Sequence, residues 1–215
     1  MKSLLFTFCF IGCFSAVLSQ TNKFTFGLEY SPNFSNITQE HFQFYTGEVG
    51  GLRFSNNIFL KGGYQLLPKL YATAGIGILE TRELITVELS NYMEIAKAEA
   101  DFFHYYIVVP VGITYHLGSF YINPEVGIGW NIDNRVEIQV YNTDGSQRED
   151  SDRRNRNGNT NTTFPVLLSI GHEIKIDKVS ILLGIKGYYS IKPQGENFYE
   201  KWHYYGFGFV TGVRF

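Results

Sequence analysis

Cysteine is almost missing from this chain of 215 residues, and the two it has, Cys9 and Cys13, both stand close to its beginning. A disulfide scaffold or a thiolate-ligated metal is therefore excluded for everything downstream. Long apolar runs are missing too: beyond residue 19 nothing approaches the ~18 residues that a spanning helix needs. An excess of one charge is also lacking, with 18 Lys and Arg against 20 Asp and Glu, so no bulk attraction to nucleic acid follows. Mean hydropathy is only −0.09. Against these absences stand 22 glycines, 19 phenylalanines and 15 tyrosines, an aromatic wealth unmatched by overall greasiness.

The first residues read as an export signal. Lys2 precedes an apolar stretch from Leu4 to Phe14, and small or polar residues follow. Val17 and Ser19 fit the two small positions before a cut, which predicts cleavage after Ser19: residues 1–19 a signal peptide, residues 20–215 one mature domain, free of both cysteines. Phe10-Ile11-Gly12-Cys13 is a poor lipoprotein site, with Phe at its first position and no acidic sorting run after it.

The mature region alternates with period two, the mark of strands with two unlike faces. From Phe120 to Ile132 the residues Phe120, Ile122, Val126, Ile128, Trp130 and Ile132 share one face, broken only by Pro124, against Tyr121, Asn123, Glu125, Gly127, Gly129 and Asn131. Similar alternation runs over 105–117, 164–176, 179–191 and 205–215, and less cleanly over 24–30, 52–66 and 70–84. About eight strands result, an even number as bacterial single-chain barrels have. The weakest assignment is 42–58, where Gly50, Gly51, Asn56 and Asn57 suit a bulge or a turn equally.

Short connections at 67–69, 118–119 and 177–178 alternate strictly with long ones at about 32–50, 87–102, 141–163 and 193–203. An up-and-down barrel with both ends on one side of a membrane predicts this order. Alternation alone does not say which face is outside, so aromatic placement has to decide. Tyr105, Tyr115, Phe120, Trp130, Tyr189, Tyr205 and Phe215 sit near the ends of the apolar bands, as two interfacial girdles require. The apolar face is then outward. Glu29, Arg53, Lys61, Glu125, Glu173, Lys175, Lys186 and Arg214 fall on the inner face, where a bore of eight strands has room only for side chains and each charge needs a partner. Glycines on the same face make space for them. The Gly75 to Gly77 pair is structural on this reading, since no strand-to-helix turn follows it.

The closing segment, His203 to Phe215, with Tyr205, Phe207, Phe209, Val213 and terminal Phe215 at alternate positions, resembles the C-terminal insertion signal of outer-membrane proteins. With the export signal, the Gly-aromatic strands and the turn order, the chain resembles the small outer-membrane β-barrel families of Bacteroidota, including the PorT-like one. The resemblance is one of pattern and not of a signature motif. It implies an all-β fold, an eight-stranded antiparallel transmembrane barrel in the cell outer membrane. It also implies contact with outer-membrane lipid and lipopolysaccharide, and insertion by the barrel-assembly machinery.

Chemistry finds little support. A barrel enzyme acting on lipid would need His, Ser and a carboxylate together, and His172, the one histidine placed on the outward face, has Ile170 and Ile174 as its same-face neighbours in the strand. His104 and His116 are too far apart along one strand to share a metal, and spacing supplies no third ligand; His41 and His203 fall near loops. No catalytic residue, cofactor or metal is expected. From 142 to 163, Asp144, Glu149, Asp150 and Asp152 balance Arg148, Arg153, Arg154 and Arg156 without interleaved aromatics, which reads as a solvated external loop and not as a nucleic-acid grip.

The alternation of 120–132 continues through Val136, Ile138 and Val140, longer than the ~9–11 residues that cross a bilayer. The expectation is a sheet projecting outside, with an edge open to a partner strand. A non-enzymatic monomer acting in envelope structure, surface interaction or secretion is the leading reading. The alternatives are a lipid-modifying barrel enzyme and a soluble lipocalin-like carrier; the carrier would need an apolar interior.

Overall fold

Period-two sequences with one greasy face leave their backbone groups to be paired between strands, and in hydrocarbon every such group must be paired, so the sheet has to close on itself. The computed structural model describes residues 23–40, 47–49, 51–88, 95–152, 162–191, 194–197 and 200–215. The expected signal peptide with Cys9 and Cys13, His41, and Arg153, Arg154 and Arg156 lie outside the described residues.

In chain order the strands are β1 (Phe24–Glu40), β2 (Gly47–Val49), β3 (Arg53–Leu67), β4 (Leu70–Glu88), β5 (Ile95–Leu117), β6 (Phe120–Asn142), β7 (Gln147–Asp152), β8 (Thr162–Thr163), β9 (Pro165–Ile176), β10 (Val179–Ser190), β11 (Gln194–Asn197) and β12 (Glu200–Arg214). β1, β3, β4, β5, β6, β9, β10 and β12 follow one another as neighbours, and β12 pairs back to β1. All the pairings are antiparallel. The result is a closed ring of eight strands, sealed where Phe26 and Phe215 exchange backbone hydrogen bonds of 3.1 and 2.7 Å. β2, β7, β8 and β11 are short additions beside the ring.

The expected tight turns are present at one end. Gly118 has φ +68° and Asp177 φ +53°, the left-handed conformation that two-residue hairpin loops demand. The orientation of the faces decides what kind of barrel this is. Phe207, Ile128 and Val109 are 52%, 44% and 37% exposed, and Phe209 reaches 70%, while Lys61, Lys186, Glu29 and Glu125 are buried. A carrier with a greasy interior and a charged exterior has the reverse arrangement.

Two of the expected loops are shorter than the sequence suggests. β1 runs on to Glu40 where a loop from about residue 32 is read from the sequence. Its inward Ser31, Asn33 and Ser35 are fully buried, so a polar stretch with a proline that looks like a loop is in fact packed wall. β4 and β5 likewise continue to Glu88 and from Ile95, shortening the expected 87–102 loop.

The second difference concerns faces. Tyr105 pairs with Asp133 and Tyr106 with Asn131, leaving Ile132 as an extra residue, a β-bulge. Below it the even-numbered residues of β6 point outward; above it they share the side of Phe102 and His104, which is the side of the bore. Val136, Ile138 and Val140 therefore continue the apolar pattern in sequence but not on the outer surface. One inserted residue exchanges the faces.

Candidate functional site

The bore is filled in three layers. Nearest the tight turns, His116 Nδ1 lies 3.1 Å and Arg214 Nη1 3.7 Å from Glu173 Oε2, with the rings of Tyr71 and Tyr121 against His116. In the middle, Lys61 Nζ bridges Glu29 at 2.9 Å and Glu125 at 2.5 Å, and Lys186 Nζ lies 3.3 Å from the same Glu29 oxygen. Two ammonium groups thus face two carboxylates drawn from β1, β3, β6 and β10. Above them Phe59, Leu79, Val108, Leu167, Tyr106, Tyr188, Tyr204 and Ile37 form a buried cluster. Phe59 is its floor, with Lys186 Nζ 4.1 Å from the ring centre, a cation on an aromatic face.

β4 leans inward over this layer. Arg82 N–H donates to Ser35 Oγ at 2.8 Å, the Asn56 amide donates to the Glu80 carboxylate at 2.8 Å, and Tyr188 of β10 donates to the Glu80 carbonyl at 3.4 Å. This layer is not legible in the sequence. Phe59, Leu79, Val108 and Leu167 sit on the face assigned to charges, and period two tells which side a residue takes but not how high in the barrel it packs.

Of the inner-face charges expected, Glu29, Lys61, Glu125 and Lys186 meet in one cluster, and Glu173 and Arg214 in a second. Arg53 stands at the outer rim, its Nε 4.0 Å from Asp101. Lys175 corrects the expectation: it is exposed and outside both clusters. β6 begins pairing with β9 at His172 and the Glu173 amide still reaches the Ser119 carbonyl at 2.7 Å, but Lys175, two residues further on, lies past the start of β6, and an inward-phase residue there has no β6 wall beside it. The expected insertion-signal residues Phe207, Phe209, Val213 and Phe215 are exposed on the outward face, and Tyr205 is half-buried.

His172 is exposed and outward, its ring 3.7 Å from that of Phe120, and its cross-strand partners are Phe120 and Leu183. Neither cross-strand partner is a serine. His104 and His116 serve different carboxylates: His104 Nδ1 is 2.8 Å from Asn134 Oδ1 and its Nε2 3.5 Å from Glu83, whereas His116 takes Glu173. Among the described residues no group of three or more His, Cys, Asp or Glu is placed to hold a metal.

Above the bulge, β4, β5, β6 and β7 form an extension with unlike sides. Ile85, Ala98, Ala100, Phe102, Val136, Ile138 and Val140 share the side of the bore. The other side carries Arg82 against Asp101 at 2.7 Å, Arg135 against Glu137 at 2.6 Å and Lys97 against Glu99 at 2.7 Å, with the Arg82 guanidinium 3.9 Å from the centre of the Phe103 ring. The Lys97 hydrogen bond, helped by Tyr141 and Arg53, holds the Glu99 carboxyl below its usual range. The edge strand β7, Gln-Arg-Glu-Asp-Ser-Asp, pairs Gln147–Asp152 with Val136–Tyr141. Charges of this density on an edge blunt further strand pairing.

A closed, even-numbered antiparallel ring that is greasy outside, ionic inside and tightly turned at one end is a membrane-spanning β-barrel of the outer-membrane type. No family model matches the chain, and no curated protein matches it. The chain is similar to solved structures at low identity. Ail, the attachment invasion locus protein of Yersinia pestis, is 12% identical over 90% of this chain and 99% of that one, with a TM-score of 0.45. Neisserial surface protein A is 11% identical over 89% and 95%, with a TM-score of 0.41. The outer membrane protease OmpT of Escherichia coli is 8% identical over 90% and 96%, with a TM-score of 0.48.

Proposed function

We propose that the chain is a non-enzymatic outer-membrane barrel that anchors an external platform, exported by residues 1–19 and inserted as the domain 20–215. One observation carries this reading. The bore is occupied by the Glu29–Lys61–Glu125–Lys186 cluster and the aromatic layer above it, while β5 and β6, 23 residues each, run far past the ~9–11 needed to cross the bilayer. Material beyond the membrane, and not a passage through it, is what the fold builds.

The platform offers its charged side, with Arg135 and Glu137, to a surface partner, and the charged β7 makes face-on contact a better mode than strand addition. The barrel works as a monomer, surrounded by outer-membrane lipid and lipopolysaccharide, with Tyr205, Phe207, Phe209, Val213 and Phe215 read by the assembly machinery. A PorT-like secretion accessory of Bacteroidota is the finer form of this reading. It rests on sequence pattern alone. The lipid-modifying alternative loses its sequence-level candidate, since His172 faces Phe120 and Leu183.

The test is deletion of residues 134–162 from the full chain in cells. Heat-modifiable gel migration should persist, showing an inserted barrel, while binding of whole cells to a surface ligand should disappear. Binding unchanged by the deletion overturns the platform.

A further inference from the structure

Above one row of the wall the sheet β4–β5–β6 stands apart from the ring. β4 is paired with β3 as far as Leu79, opposite Asn57, and β6 with β8 as far as Trp130, opposite Thr162. Beyond these points, among the described residues, β4 pairs only with β5 and β2, and β6 only with β5 and β7. Leu79, Tyr106 and Asn131 are cross-strand partners, so both flanks let go at nearly one level. The bulge at Ile132 lies directly above it, and a bulge bends the strand that carries it. The platform therefore joins the barrel through three continuous strands without a flanking ladder.

Single polar bonds hold it against the rim instead. The Glu80 amide donates to Asn57 Oδ1 at 2.9 Å, the Asn56 amide to the Glu80 carboxylate at 2.8 Å, the Arg82 amide to Ser35 Oγ at 2.8 Å, and Arg82 Nη1 to the Phe54 carbonyl at 3.0 Å. The same contact strands other groups. Asn57 Nδ2, Thr81 Oγ1, Glu83 Oε2, Arg53 Nε, Arg82 Nε and Asp101 Oδ1 are buried at this junction without a partner. A buried polar atom left unpaired costs as much as a made bond returns, or more, so the gains and losses of this contact oppose each other closely. Two positions of similar free energy are what such a balance produces.

We propose that the platform is a latched lid, which leans over the mouth of the bore in the position described and swings off as one body about the row Leu79–Tyr106–Asn131. This deepens the platform reading and rests on it. Tyr188 and Tyr204 are buried under the lid: Tyr188 donates to the Glu80 carbonyl at 3.4 Å, and the Tyr204 ring lies 5.2 Å from that of His104. Opening bares these rings together with Phe102, Val136 and Ile138 on the bore side of the platform. It makes no passage, because Phe59 and the Lys61–Glu125 pair stay in place below. A partner that grips the platform from outside thereby controls whether an aromatic surface is presented at the mouth. From Asn131 to Gln139 the arm is about 26 Å at ~3.3 Å per residue, so a swing of ~20° carries Gln139 about 9 Å.

The experiment measures spin-label distances on the full chain in nanodiscs, with Cys9 and Cys13 changed to Ser and labels on Gln139→Cys and Thr211→Cys, both exposed positions. Two distance populations should appear, the closed one at the separation of the structure described. Ser35→Ala with Glu80→Ala removes latch bonds and should shift the ratio towards open by about twofold or more, whereas Thr81→Val removes a stranded hydroxyl and should shift it towards closed by a similar factor. A second pair on the outer wall, Tyr189→Cys with Thr211→Cys, should give one distance throughout. Heat-modifiable migration is read on each sample, and Ser35→Ala alone, which spares the Glu80 carboxylate, stands in if the double variant does not insert. A single Gln139–Thr211 distance, a latch variant that leaves the ratio unmoved, a Thr81→Val shift that is absent or towards open, or a wall pair that spreads with the first overturns the lid. No partner enters these measurements, so their failure is distinct from failure of the platform, which the 134–162 deletion tests.

Discussion

Lys61 reaches Glu125 across the bore at 2.5 Å, although the two are 64 positions apart in the chain. The same ammonium group holds Glu29 at 2.9 Å, so one lysine ties β1, β3 and β6 together. Lys61→Met leaves Glu125 without an ion-pair partner and should cost ~3–5 kcal/mol, the usual penalty for stranding a buried charge. Adding Glu125→Gln should restore much of it. Urea unfolding in detergent micelles, followed by heat-modifiable migration, measures both.

Phe59 is fully buried and carries Lys186 on its face. Phe59→Ala removes packing and the aromatic seat together, and ~3–5 kcal/mol of stability should go with it. Phe59→Leu keeps most of the volume and should recover more than half, and the same unfolding assay separates the two.

Gly208 sits at the seam where β12 meets β1. A β-carbon there would lie 2.0 Å from the Pro32 carbonyl oxygen and 2.6 Å from the Asn33 Cα, backbone that has no freedom to yield. Gly208→Val should prevent closure and leave no heat-modifiable species. Gly187→Val, whose β-carbon would have its nearest neighbour at 3.6 Å, should insert as the wild type does.

Ile132 is the extra residue of the bulge. Deleting it puts Val136, Ile138 and Val140 back in phase with Ile128 and Trp130, on the outside of the extension and in water. The variant should bind a hydrophobic dye at the cell surface that the wild type leaves unbound; equal dye binding contradicts the face exchange.

Asp144, at the tip between β6 and β7, accepts the Ser146 hydroxyl at 2.6 Å and the Ser146 amide at 2.8 Å, and these bonds hold its carboxyl below the usual range. A lowered carboxyl contributes order above the ordinary carboxylate pKa, ~3.9, and loses it as pH falls through the lowered value. The Ser146 amide resonance should therefore move at a pH below that of a free aspartate. In Asp144→Asn that movement should be absent.

Much of this architecture is legible in residue order. Phe120–Ile132 and Val179–Ile191 state their two faces plainly, and Gly118-Ser119 and Asp177-Lys178 fix the turns. Three features are not, each for a physical reason. Ile132 carries no bulge signal, because an apolar residue in even phase fits the pattern on either side of it. Ser31, Asn33 and Ser35 are polar and surround a proline, yet they are wall, since an inner face accepts any side chain that finds a partner. Lys175 has the right phase but lies past the end of β6, and strand ends are set by the neighbouring strand and not by the residue itself. Of the candidate site, the charges of the bore could be named from sequence, whereas their partition into two clusters, and the aromatic layer over them, depend on heights that period two does not encode.

On the proposed orientation, with the tight turns inside the envelope, the hairpin of β5 and β6 is what projects from the cell. At ~3.3 Å per residue the ten residues from Asp133 to Asn142 add about 30 Å of reach before any tilt. An antibody raised against Asp144–Ser146 should on that orientation engage the tip clear of the lipid surface and label intact bacteria.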